Sequence, residues 1–298
     1  MSVFTGVGTA IVTPFNAQNQ VDWGVYADLI EFQIASGVDA LIVCGTTGES
    51  STLTYEERLE SVRFVVKQVA GRVPVISGGG SNSTVNSIRL CLDGQKAGAD
   101  ALLCVTPYYN KTTQRGLIAH YTAIAKAVDL PIILYNVPSR TGLNMEAETV
   151  AELSKVENIV GIKEASHDIK LITHIATYCG DNFDIYAGNC NEVLAVMALG
   201  GKGCISTSGN VIPGDLHNLV VKFMDGDVAG ARKLQLNAIP LIDSMFCEMN
   251  PMPVKYALNL MGYAVGEARL PLTTLEPESM DKIKKAMVDY GLIQCSKS

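Results

Sequence analysis

Short apolar runs recur along this chain, and a helical pattern follows each of them. The runs contain few charges and do not alternate strictly between polar and apolar residues, which is typical of parallel strands covered on both faces. The eight runs span residues 6–14, 40–44, 73–77, 101–106, 131–136, 159–165, 184–187 and 203–206. Strands that alternate with helices indicate βαβ units. Eight such units predict a closed (β/α)8 TIM barrel.

The segments between the runs carry signals for helix starts. Thr54 and Glu57 have the spacing of a capping box, and Ser83 precedes a second helical pattern. No glycine-rich phosphate loop opens a helix, which favours a closed barrel over a doubly wound open sheet. The strand pattern stops after about residue 225, and helical periodicity then covers 228–249, 253–261 and 278–290. We therefore expect a barrel over residues 1–226 and a small three-helix region over 227–298.

Composition excludes several classes of function. The net charge is −7 and lysines and arginines form no run, so we expect no nucleic-acid partner. No apolar stretch is long enough to span a membrane, and the first residues lack the pattern of a signal peptide. The eight cysteines contain no C-x-x-C pair, which is typical of free thiols in a reducing cytosol. The four histidines lack zinc-binding spacing, so we expect a cytoplasmic protein without a metal or cofactor site.

Lys163 is the residue with the strongest chemical signal. Active sites of these barrels lie where the strands end, and Lys163 lies near the end of the sixth run. By strand alternation it shares a face with two small residues, Gly161 and Ala165. Burial favours the neutral amine, which can attack a ketone and form an imine. The alternative is a lysine that extends to solvent or pairs with Glu164.

Three other strand ends carry groups that suit such chemistry. The turn Gly45-Thr46-Thr47-Gly48 offers amides and hydroxyls to a carboxylate, although it can also be an ordinary turn. Tyr135 can carry the proton that imine chemistry moves, or it can simply cover the barrel core. Arg140 can bind a second carboxylate or stay solvated. Their convergence on one end of one barrel predicts an enzyme that acts on a small keto acid.

Several motifs together resemble the dihydrodipicolinate synthase family, which belongs to the pyruvate-dependent class I aldolases. The resemblance runs essentially from end to end. The motifs are Gly45-Thr46-Thr47-Gly48-Glu49, Tyr108-Tyr109, Tyr135-Asn136-Val137-Pro138-x-Arg140-Thr141-Gly142, Gly161-x-Lys163-Glu164 and Asn250-Pro251-x-Pro253-x-Lys255.

The resemblance implies the catalytic roles of four residues. Lys163 forms the imine with pyruvate, and Tyr135 shuttles the proton beside it. Thr46 and Tyr109 complete a hydroxyl relay, with Tyr109 reaching in from a neighbouring subunit. The resemblance also implies a homotetramer built as a dimer of dimers.

The resemblance also implies how the substrates bind. Thr46 and Thr47 hold the pyruvate carboxylate, and Arg140 receives the carboxylate of L-aspartate 4-semialdehyde. Gly188 and Ile205 line the pocket through backbone groups. The implied activity belongs to lysine and diaminopimelate synthesis, and it needs no cofactor.

Inhibited members of the family bind lysine at a subunit interface. The corresponding residues here are Ser50, Ser51, Tyr55, Arg58, Asn82, Asn86 and Tyr108. Asn86 stands where inhibited enzymes place a carboxylate, and Arg58 stands where histidine is frequent. A lost ion pair and an added positive charge both oppose a ligand with two ammonium groups. We therefore expect weak or absent inhibition by lysine.

Two alternative functions are consistent with part of this pattern. An N-acetylneuraminate lyase or another sugar-keto-acid aldolase would share Lys163 and Tyr135, but its sugar needs hydroxyl-binding groups where Arg140 stands. A non-catalytic barrel scaffold would not need the complete set of reactive residues.

Overall fold

In the computed structural model, which describes residues 2–294, eight parallel strands close into a barrel. The strands follow one another around the barrel in chain order, and the last pairs with the first. They are β1 (Gly6–Ala10), β2 (Ala40–Val43), β3 (Val75–Gly78), β4 (Ala101–Val105), β5 (Ile132–Asn136), β6 (Ile159–Glu164), β7 (Asp184–Ala187) and β8 (Gly203–Ser206). This topology confirms the predicted TIM barrel.

Helices surround the barrel and continue after it. Those that follow the strands are α1 (Trp23–Ala35), α2 (Tyr55–Val69), α3 (Thr84–Lys96), α4 (Gln114–Ala125), α5 (Pro138–Thr141), α6 (Ala147–Leu153), α7 (Ile169–Cys179), α8 (Val193–Ala198) and α9 (Pro213–Met224). Three more come after α9: α10 (Val228–Ser244), α11 (Met252–Leu260) and α12 (Pro277–Tyr290). The expected helical region therefore contains three helices, and its residues 295–298 lie outside the described part. Within residues 2–294, no helix has both the length and the apolar character that a membrane span requires.

Local sequence explains where several helices begin. The Thr54 hydroxyl accepts the amide hydrogen of Glu57, and the Glu57 carboxylate accepts that of Thr54, so the predicted capping box is confirmed. Ser83 likewise caps α3. These side chains pair amide hydrogens that the first turn of a helix leaves without partners.

The first strand is shorter than its apolar run predicts. Residues 11–14 are buried. The Ile11 amide still donates to the Ile42 carbonyl on β2 at 3.1 Å, whereas the residues after it lie beyond the ladder. The amide of Val12 donates to the Asn210 side chain at 3.1 Å, and the Thr13 hydroxyl donates to the Gly48 carbonyl at 2.7 Å. Burial without strand pairing gives the same apolar pattern in the sequence, which accounts for the difference.

An inner core fills the barrel and closes its lower end. Its members come from alternate positions of the strands and include Ala10, Ile42, Ile76, Leu103, Ile133 and Ile205. Below them, the Phe4 ring stacks on Tyr186 with centroids 4.4 Å apart, and the Tyr186 hydroxyl donates to the Phe4 carbonyl at 2.8 Å. With its lower end closed, the barrel is open at the ends where its strands finish.

Candidate active site

A cavity of about 120 Å³ lies at the carboxyl ends of the strands. The strand-end rule for these barrels leads us to expect a site there. The cavity brings together most of the predicted site residues. Those that line it are Thr46, Thr47, Tyr135, Arg140, Lys163 and Gly188.

Lys163 lies inside the barrel near the end of β6. It pairs in register with Tyr135 on β5 and with Tyr186 on β7. The residue is only 6% exposed, and its Nζ lies 4.4 Å from the centroid of the Tyr135 ring. A buried primary amine beside a phenol, with open space next to it, is the arrangement that imine chemistry requires.

Glu164 lies on the opposite face of the strand and does not pair with Lys163. Its carboxylate accepts hydrogen bonds from the Asn136 side chain at 2.9 Å and from the Ser166 amide at 2.7 Å. Burial raises the pKa of Glu164, and these hydrogen bonds oppose the shift. Glu164 therefore joins the ends of β5 and β6 and keeps the backbone around Lys163 in place.

A chain of polar side chains closes one side of the cavity. Thr47 and Thr207 share a hydrogen bond with their Oγ1 atoms 3.0 Å apart. The Asn250 Nδ2 donates to Thr47 Oγ1, also at 3.0 Å. All three residues are buried and line the cavity. Hydroxyls in such a position can donate to a carboxylate without adding a charge to the site.

Arg140 lies at the mouth of the cavity, on the short helix α5. It is exposed, and its Nη1 lies 3.4 Å from Met249 Sδ. Gly188 lies deeper, and its amide donates to the Glu164 carbonyl at 2.7 Å. A Cβ at position 188 would lie 2.5 Å from the Ala165 Cβ, so only glycine fits this approach.

Two predicted site residues lie outside the cavity lining of this chain. Ile205 is fully buried in the inner core. Tyr109 is 92% exposed, and its φ of 66° lies in the left-handed region that residues with a Cβ seldom adopt. The chain alone therefore does not bring Tyr109 to its own Lys163.

A second cavity, of about 280 Å³, contains four of the residues proposed to bind lysine: Tyr55, Arg58, Asn86 and Tyr108. Arg89 also lines it, and its guanidinium lies 3.7 Å from the centroid of the Tyr55 ring. Arg58 donates to the Gly78 carbonyl at 2.9 Å.

The other three residues of that set lie around this cavity rather than in its lining. Asn82 donates to the Tyr108 carbonyl at 3.2 Å, while Ser50 and Ser51 belong to the loop that follows β2. The cavity thus presents two arginines, Arg58 and Arg89.

The loop after β2, which carries Thr46 and Thr47, is also held from the C-terminal region. Glu49 forms an ion pair of 2.7 Å with Lys255 on α11, and both side chains are at most 2% exposed. The amide of Arg269 donates to the second Glu49 oxygen at 2.9 Å. Residues far beyond the barrel in sequence therefore fix the backbone beside the cavity.

Sequence reasoning missed two residues of the polar chain. Thr207 directly follows β8, so the strand-end rule that selected Lys163 applies to it as well. Asn250 comes from the segment between α10 and α11, where no strand-end rule applies. Only the resemblance, whose last motif begins at Asn250, singled out that segment.

Comparison with known proteins agrees with this geometry. The sequence profile of the Dihydrodipicolinate synthetase family matches residues 3–289. The 4-hydroxy-tetrahydrodipicolinate synthase of Thermoanaerobacter sp. (strain X514) is 51% identical over 295 residues, covering 99% of this chain and 99% of that protein.

Solved structures give the same result. A DHDPS from Cyanidioschyzon merolae with lysine bound has a TM-score of 0.96 and 40% identity, over 98% of this chain and 100% of that chain. The dihydrodipicolinate synthase of Aquifex aeolicus has a TM-score of 0.94 and 42% identity, over 97% of this chain and 99% of that chain. The chain therefore belongs to the dihydrodipicolinate synthetase family.

Proposed function

We propose that this chain condenses pyruvate with L-aspartate 4-semialdehyde to form 4-hydroxy-tetrahydrodipicolinate, with Lys163 as the amine that forms the imine. The observation that carries the proposal is the buried Lys163 amine, 4.4 Å from the Tyr135 ring centroid in a cavity at the strand ends. The name of the Thermoanaerobacter relative supports the choice of reaction.

The first steps follow from the position of the amine. The neutral Lys163 nitrogen adds to the keto carbon of pyruvate, and loss of water leaves the imine. Removal of a methyl proton then converts the imine into a nucleophilic enamine. The Tyr135 ring lies beside the amine, with its centroid 4.4 Å from Lys163 Nζ, and we assign it to these proton transfers. Thr46 and Thr47 hold the pyruvate carboxylate at the cavity wall.

The second half of the reaction uses the mouth of the cavity. The enamine carbon attacks the aldehyde carbon of the second substrate, whose carboxylate Arg140 binds. The amine of the adduct then attacks the imine carbon, the ring closes, and Lys163 leaves as a free amine. Each turnover consumes one molecule of each substrate and releases the cyclic product and water.

We assign Tyr109 to the site of a neighbouring subunit, where it joins Thr46 and Tyr135 in the hydroxyl relay. Its 92% exposure and left-handed backbone support this role, because strained residues are retained where function requires them. The homotetramer and the cytoplasmic location stay predictions.

Reductive trapping tests the central step. Pyruvate with borohydride should leave a stable secondary amine on Lys163, located by peptide mapping. Lys255 is an internal control, since it is also buried but lies outside the lining of this cavity and should stay unmodified. Lys163→Met should abolish the adduct. An adduct on another lysine would refute the mechanism.

A second assay separates the alternatives within the superfamily. We expect the protein to turn over pyruvate with aspartate semialdehyde and not to cleave N-acetylneuraminate. The reason is that Arg140 suits a carboxylate better than a sugar hydroxyl. The opposite result would favour the sugar-acid lyase.

A further inference from the structure

The geometry points to Asn250 as a positioning residue that donates to Thr47 without taking a hydroxyl proton, so that the Thr47–Thr207 pair keeps one proton available for the carboxylate of the keto acid. This inference rests on the proposed function and specifies how the keto acid is recognised. Asn250 belongs to the C-terminal region, so the inference also gives that region a part in substrate binding.

The contacts form a single chain across the cavity wall. Asn250 Nδ2 donates to Thr47 Oγ1 at 3.0 Å, and Thr47 Oγ1 lies 3.0 Å from Thr207 Oγ1. The exposed fractions are 6% for Asn250, 2% for Thr47 and 7% for Thr207. Water therefore has little access to these groups, and their hydrogen-bond directions are set by one another.

A count of donors shows what Asn250 does to this pair. Each threonine hydroxyl has one proton and two acceptor sites. Asn250 occupies one acceptor site of Thr47. If Thr47 donates to Thr207, the Thr207 proton remains free; if Thr207 donates to Thr47, the Thr47 proton remains free. In both cases one hydroxyl proton stays available, because the Asn250 amide donates to Thr47 and takes neither proton.

The same count explains why an amide suits this position and a carboxylate does not. Aspartate would accept the Thr47 proton and would bring a negative charge next to the substrate carboxylate. Within residues 2–294 the amide oxygen of Asn250 is buried without a hydrogen-bond partner. Asn250 therefore acts on Thr47 through its N–H group.

Other contacts already hold the loop in place. The Thr13 hydroxyl donates to the Gly48 carbonyl at 2.7 Å, and Glu49 pairs with Lys255 at 2.7 Å. These bonds hold the loop independently of Asn250, whose described hydrogen bond goes to the Thr47 hydroxyl and not to the backbone.

The test measures how imine trapping on Lys163 depends on pyruvate concentration. Asn250→Ala should raise the half-saturating pyruvate concentration about three- to tenfold, which corresponds to one hydrogen bond. The maximal trapping rate should change less than about twofold, because the amine itself is untouched. Asn250→Asp should raise that concentration about tenfold or more. Asn259→Ala, a change in the same region at a residue that bonds the Gly266 carbonyl, should behave as wild type.

A double-mutant cycle separates positioning from a general structural effect. In a Thr47→Val background, Asn250→Ala should have no further effect on the pyruvate dependence, whereas Thr47→Ser should preserve the full effect. Additive effects in the Thr47→Val background, or an Asn250→Asp variant that binds pyruvate as wild type does, would overturn the inference. If the wild type itself forms no adduct, the proposed function fails instead, so the two failures are distinguishable.

Discussion

The buried ion pair between Glu49 and Lys255 allows a sharp prediction about stability. The two side chains are 2.7 Å apart and at most 2% exposed. Lys255 also donates to the Glu267 carbonyl at 2.9 Å, and Glu49 accepts from the Arg269 amide at 2.9 Å. Lys255→Met would leave the Glu49 carboxylate buried with the Arg269 amide as its remaining described partner. We expect the free energy of unfolding to fall by about 3–5 kcal/mol.

Removing both charges should cost much less than removing one. The double variant Glu49→Gln/Lys255→Met keeps an acceptor for the Arg269 amide and contains no unpaired charge, so we expect it within about 1–2 kcal/mol of wild type. Lys222→Met is the matched control, because its partner Asp227 lies at a similar 2.9 Å but the pair is about half exposed. That control should lose under about 1 kcal/mol. Urea unfolding at one protein concentration provides the comparison, since assembly also contributes to stability.

The pH dependence of this pair has a definite sign. Burial lowers the pKa of Lys255 from 10.5 to about 8, although Glu49 opposes the shift. Between these two values the unfolded chain retains a proton that the folded chain has lost. The free energy of unfolding therefore rises with pH in this window, by on the order of 3 kcal/mol. The stability gap between wild type and Lys255→Met should widen above pH 8. A gap that narrows there would refute the reasoning, because it would mean that attraction to Glu49 outweighs burial.

Three further predictions concern the site and its assembly. Arg140→Ala should lower kcat/KM for the aldehyde about tenfold to a hundredfold but leave pyruvate trapping intact; equal damage to both half-reactions would contradict the assignment. A variant that breaks the subunit contact around Tyr109 should lose turnover while its barrel stays folded. Sedimentation and an activity assay on the same sample test this, and a fully active monomer would contradict the assignment of Tyr109. Lysine should inhibit weakly or not at all, because Arg58 adds a positive charge and Asn86 offers no carboxylate. Titration at saturating pyruvate tests this, and half-inhibition at submillimolar lysine would show that the cavity accepts the ligand.

The barrel could be predicted from sequence because each parallel strand is buried on both faces. That burial imposes a continuous apolar run, and the eight runs match the eight strands closely. The sequence determines the ends of the strands less well. Residues 11–14 show this, since buried loop residues above the barrel are as apolar as strand residues. Lys163 could be found because a charged residue inside such a run conflicts with the local pattern, and such conflicts occur at functional sites.

The rest of the site depends on contacts that leave no local pattern. Asn250 and Thr47 are 203 positions apart, and Lys255 and Glu49 are 206 apart. A lone asparagine near a proline is ordinary turn composition, and a lysine on an amphipathic helix is ordinary surface composition. Their partners become visible only when the C-terminal region is placed over the barrel. The charge balance around Glu49 could not be inferred from the sequence for the same reason.

The expected division between the barrel and the helical region, at residues 226 and 227, does not divide the candidate site in the same way. Met249 lies against Arg140 at the mouth, Asn250 bonds to Thr47 at the wall, and Lys255 pairs with Glu49 behind the same loop. A barrel that ended at residue 226 would retain Lys163, Tyr135 and the hydrogen bond between Thr47 and Thr207. It would lose the Lys255 partner of Glu49 and the Asn250 donor to Thr47. The segment between α10 and α11, together with α11, therefore contacts the mouth and the wall of the candidate site.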